Sequence, residues 1–145
     1  MFNSLFKTKK KSAESKIDKK VYAVVALLCE AAMIDEEFGE NEKKVIIKIL
    51  KDQFQIKDPD EINDIFKTTL ANLEESGDLV SYTREVKNNW KLEDRVNVIE
   101  MLWRVCLVDG KVEPYEDMLI RKVAGLLYVG DREKNLAKKI AREKL

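Results

Sequence analysis

The chain has 145 residues, 45% hydrophobic and 37% charged, with 27 basic residues balanced by 27 acidic ones and no histidine. That length supports one domain with a real core, and zero net charge argues against a nucleic-acid partner, which calls for a basic excess. Without histidine there is no Ser-His triad, imidazole base or His metal ligand, and 5 Gly with 2 Pro are too few for the tight turns of an all-β domain.

Residues 1–15, "MFNSLFKTKKKSAES", read as a basic, mobile N-terminal tail. In the first 20 residues seven lysines face Glu14 and Asp18, so 7 − 2 leaves +5, and the rest of the chain carries −5. The tail reads either as a solubilising arm or as a weak contact with an anionic membrane. In the second reading Phe2 and Phe6 enter the headgroup layer while Lys7, Lys9, Lys10 and Lys11 meet lipid charge. The lysines interrupt any signal-peptide core, and no run reaches the ~20 apolar residues of a membrane span. The expectation is therefore a cytoplasmic protein, with the inner membrane face as a peripheral location.

Residues 16–145 read as a single helical domain. Val21, Val24, Val25, Leu28, Ala31 and Ala32 recur at i, i+3, i+4 and i+7, and so do Val96, Ile99, Leu102, Trp103, Cys106 and Leu107. Helices are predicted near 16–34, 40–56, 59–75, 79–90, 92–108, 114–129 and 131–144. Asp58-Pro59-Asp60-Glu61 supplies an N-cap, a proline at the first helical position and early acids. Ser76-Gly77-Asp78 and Gly130-Asp131 each read as the end of one helix and the cap of the next. Cys29 and Cys106 follow the apolar stripe and read as buried free thiols. The fold class is all-α, a compact bundle of about seven helices.

An internal repeat runs through the chain. A shift of 74 residues places Leu28 on Leu102, Asp35 on Asp109, Glu42 on Glu116, Ile46 on Ile120 and Lys48 on Lys122. Each copy is a hairpin of apolar helix, acidic turn and apolar helix, the first near 20–56 and the second near 92–129. Linker helices fill 59–90 and a last helix covers 131–144. Two such hairpins can pack about a pseudo-twofold axis.

The acids of the turns have two readings. In the first they are caps: Gly110 stops one helix, Glu113 is the N-cap of the next, Pro114 is N1, and Glu116 at N3 accepts from the exposed N–H groups. In the second, Asp109 and Glu116, and likewise Asp35 and Glu42, join backbone carbonyls and water around Ca²⁺ or Mg²⁺. The spacing is not that of an EF-hand, which needs twelve residues with alternating early acids.

The helix ending "EMLWRVCLVDG", followed by "KVEPYEDMLIRKVAGLLYVGD", resembles the TerB-like (tellurite-resistance TerB) family. The shared pattern is a Leu-Trp helix, an Asp-Gly turn, a glutamate in the next first turn and an Ile-Arg helix. The likeness spans about residues 20–135 and is weaker in the first copy, where Glu36 replaces the glycine after the Asp. The resemblance implies an all-helical bacterial cytoplasmic domain without a demonstrated enzymatic activity, associated with tellurite and other stress responses and with membrane-linked complexes. It also marks Asp109, Glu116, Asp35 and Glu42 as the candidate cation ligands. The expected function is a non-enzymatic interaction module with protein partners, with a membrane adaptor second and a carboxylate-metal hydrolase third.

Overall fold

The computed structural model describes residues 20–33, 39–76, 79–110 and 112–145, with residues 74–76 described by backbone alone. These residues form seven helices and no strand. They are α1 (residues 20–32), α2 (Glu40–Gln53), α3 (Pro59–Ser76), α4 (Leu79–Asn89), α5 (Leu92–Leu107), α6 (Pro114–Leu126) and α7 (Asp131–Lys144). None is long and apolar enough to cross a membrane.

The two most apolar stretches of the sequence become the two central helices. In α1 every residue from Val21 to Ala32 is buried except Tyr22 and Glu30, and in α5 the ten residues Val98 to Leu107 are all buried. A helix buried on every side needs neighbours around its whole circumference. α7 packs along α5 far more extensively than α2 or α6 does, and α4 packs on α6. Burial recurs at the 74-residue shift: Val24 and Val98, Leu28 and Leu102, Ile46 and Ile120, and Ile49 and Val123 are all fully buried.

The helix starts follow local chemistry. Asp58 Oδ1 accepts from the Asp60 N–H at 3.0 Å, and Pro59 opens α3 where no donor is needed. Gly110, at φ +97°, closes the turn after α5 with its N–H donating to Leu107 O at 2.8 Å. Thr83 sits inside α4 with its hydroxyl donating to Leu79 O and Val80 O, which hides the polar group in the helix.

Several predicted ends need correction. The helix predicted to reach 56 stops at Gln53, because Gln55 turns left-handed at φ 53° and the Ile56 N–H closes on Leu50 O. The helix predicted to reach 129 stops at Leu126. There Tyr128 takes φ 57° and the Val129 N–H donates to Ala124 O at 2.8 Å, as in a Schellman stop. Gly130 is therefore not the stop expected of it; its backbone is extended and it is the N-cap of α7. The first helix was expected over 16–34 and is seen over 20–32, with a turn at Met33; residues 16–19 and 34 lie outside the described residues. The Gly77-Asp78 break lies outside them too.

Candidate functional site

The turn between α5 and α6 is built as its residue types require. Val108 is still helical, Asp109 is exposed, and Gly110 reverses the chain. Val112 returns to pack against the core. Glu113 then caps α6 from extended backbone, Pro114 takes N1, and Glu116 stands at N3. The Glu113 N–H donates to Glu116 Oε1 at 2.9 Å, in a reciprocal capping box.

Glu116 also faces inward. It lies beside the buried Cys106 thiol, whose pKa is pushed up first by burial and then by the Glu116 carboxylate. Thus the two acids of the second turn behave differently: Glu116 is engaged at the helix start, and Asp109 is in solvent.

The first copy places a glutamate at the same N3 position. Gly39 is the N-cap of α2, and the Glu42 carboxylate folds so closely over it that a Cβ on residue 39 would collide with that carboxylate. α7 repeats the arrangement outside either turn, with the Glu133 carboxylate about a contact distance from the Cβ position of its N-cap, Gly130. A glutamate thus stands three residues past the N-cap in α2, α6 and α7, and in α6 it completes a reciprocal capping box. Asp35 lies outside the described residues, as do Phe2, Phe6, Lys7, Lys9, Lys10 and Lys11. Among the described residues no group of three or more Cys, Asp or Glu is placed to hold a metal ion. Any cation at the second turn therefore draws on at most two of these side chains, with carbonyls and water for the rest.

The thiols offer no nucleophile. Cys29 and Cys106 are free and buried, and burial, with Glu30 beside it, pushes the Cys29 thiol up to about 12. Trp103 is packing, as its place in the stripe predicts: it is 1% exposed, and its Nε1–H donates to Lys134 O at 3.1 Å. Trp90 is half-buried against Phe54, ring centroids 6.1 Å apart.

Two surface features escaped the sequence reading. A groove of about 310 Å³ runs between α1, α3 and α4, lined by Tyr22, Ala23, Ala26, Thr69, Tyr82 and Glu85 among others. On α6, directly after the acidic turn, Tyr115 is 71% and Met118 64% exposed. With Leu119 and Lys122 they line an open groove of about 430 Å³. The i, i+3, i+4, i+7 spacing of these four was visible in the sequence, but Leu119 and Ile120 made α6 look like a helix with a single buried face.

A model of the family described as TerB, tellurite resistance protein TerB, matches residues 22–139. No curated protein and no solved structure matches the chain.

Proposed function

Since the chain belongs to the TerB family of tellurite resistance proteins, we propose that it is a non-enzymatic helical interaction module whose docking surface is biased by a divalent cation, Ca²⁺ or Mg²⁺. One observation carries the reading: the acids of the second turn and the exposed Tyr115 and Met118 share the start of α6. Glu116 Oε1 already holds the cap, so a cation that draws on this carboxylate shifts the cap and the first turn with it. Tyrosine and methionine suit such a surface, one as a rigid amphipathic anchor and the other as an adaptable apolar contact. The chain supplies no histidine, and its thiols are buried, with pKa values raised by that burial, which favours binding over catalysis. The partner is a protein, in a cytoplasmic setting, with the family's stress-response association as context.

The test is an amide NMR titration of the metal-free protein with Ca²⁺, Mg²⁺ and Mn²⁺. The control is Asp109→Asn with Glu116→Gln, where glutamine keeps the cap and removes the charge. Saturable shifts over residues 109–118, absent in the control, are the expected result. Spectra unchanged at millimolar ion would leave Glu116 as a cap alone and end the cation reading.

A second reading is a peripheral membrane adaptor. It is favoured by the separation of charge, +5 in residues 1–20 against −5 in the remainder.

A further inference from the structure

The exposed face of α6 has an unusual composition for solvent contact. Tyr115 and Met118 stand out from the helix with Leu119 half-buried behind them. Around its N-terminal end are Asp109, Glu113, Glu116 and Asp117, against which the segment 109–117 sets only Lys111, so 4 − 1 leaves −3. Asp117 is turned towards Arg121, 3.2 Å away, and Lys122 marks the far end of the groove. The occupant that fits is apolar at one end and basic at the other.

The chain carries a segment of that chemistry. Phe2, Leu5 and Phe6 fall within five positions, and Lys7, Lys9, Lys10 and Lys11 fill four of the next five. The segment 2–11 carries +4 from its four lysines, and residues 1–20 together carry +5 against the −5 of everything after residue 20. We propose that the N-terminal segment 2–11 docks on this face of its own chain, with Phe2, Leu5 and Phe6 against Tyr115 and Met118 and the lysines along the acidic turn.

The tether allows it. From Phe6 to the start of α1 at residue 20 is 20 − 6 = 14 residues, a span of up to about 45–50 Å. A domain of this size has a radius of gyration of about 15 Å, so the segment reaches any face. A short tether also holds it near millimolar effective concentration, at which a weak contact is occupied. Docking then makes the segment a competitive cover. A partner of the α6 face, or an anionic membrane that binds the lysines, must first displace it. The inference rests on the proposal that α6 is the docking surface but needs no cation, so the titration above and the test below fail independently.

The test is paramagnetic relaxation in the full chain. A nitroxide is attached at Ser4→Cys; the two native thiols are buried and stay unlabelled. The expected result is loss of about half or more of the amide intensity at residues 113–122, as for a tethered contact occupied most of the time. The loss is unchanged on dilution, relieved by salt, and absent when Tyr115→Ser and Met118→Ser are introduced, two exposed positions where folding is not at stake. Uniform weak broadening, or broadening centred on another helix, overturns the proposal. If broadening of residues 113–122 appears instead between labelled and isotope-marked copies mixed together, the occupant is a second copy and the proposal fails.

Discussion

Cys29 is fully buried in α1, and burial raises its thiol from 9.0 to about 12, with Glu30 a lesser cause. The folded chain therefore holds that proton more tightly than the unfolded chain does. The stability this contributes is intact below pH 9 and is lost as pH climbs towards 12. Within that window each such thiol steepens the fall in unfolding free energy by up to about 1.4 kcal/mol per pH unit. Cys29→Ala should be less stable near neutrality, because buried atoms are lost, yet decline more gently above pH 9, by about one proton's worth of slope. Urea unfolding of both proteins across alkaline pH measures this, and parallel slopes would refute it. The burial of both cysteines was legible from their places on the apolar stripe. The pairing of Cys106 with Glu116 was not, because it depends on how the turn returns α6 to the end of α5. At the turn itself, Glu113, Pro114 and Glu116 were readable as N-cap, N1 and N3, since capping is local chemistry.

Helix starts in this chain are written in side chains, and helix stops in two cases are not. Asp58-Pro59 and Glu113-Pro114 announce α3 and α6. α2 and α6 end instead on left-handed Gln55 and Tyr128, residues whose type gives no warning of a positive φ. Both predicted ends overshot by three residues for that reason. Gly110 is the opposite case, a glycine that announced its own positive φ. The two glycines that flank the exposed face of α6 give a clean contrast. At both positions a Cβ would meet nothing within 4 Å, so packing cannot decide the outcome. Gly110 has φ +97°, whereas Gly125 lies inside α6. Gly110→Ala should cost about 1–2 kcal/mol in backbone strain, and Gly125→Ala should stabilise by about 0.5–1 kcal/mol. Thermal melts of the two variants should therefore move in opposite directions, by about 2–4 °C per kcal/mol at this chain length. A shift of the same sign in both would mean that the turn is held by something other than the glycine.

At the scale of the whole molecule, α7 closes over a buried polar cluster that the sequence reading passed over. Glu100 is 3% and Arg104 5% exposed, in the middle of the buried run of α5. Arg104 Nε lies 2.6 Å from Glu100 Oε2, and the last turn of α7 reaches in with Lys144 Nζ 3.0 Å from Glu100 Oε1. The signal was there: in "VIEMLWRVCL" Glu100 and Arg104 are the two charged residues, four apart, on a helix apolar all round. What the sequence could not reveal is that α7, the most polar helix by its residues, would cover them. The arginine is poorly satisfied. Its contact with Glu100 is an ion pair rather than an aligned hydrogen bond, and Arg104 Nη2 has no hydrogen-bond partner among the described residues. Charges removed from water recover that loss only when geometry and hydrogen bonding are both good, so the pair adds little net stability while each half depends on the other. Glu100→Leu alone leaves a buried guanidinium without its anion and should cost about 3–5 kcal/mol. Glu100→Leu with Arg104→Met should recover most of that loss, or exceed the wild type, because two apolar side chains of similar volume replace two desolvated charges. Lys144→Met, at a side chain 42% exposed, should cost at most about 1 kcal/mol. Chemical denaturation of Glu100→Leu, Arg104→Met, their double variant, Lys144→Met and the wild type provides the comparison, read as coupling between the Glu100 and Arg104 substitutions. If the double variant were as unstable as the sum of its singles, the two substitutions would be uncoupled, and the dependence of each charge on the other would be refuted.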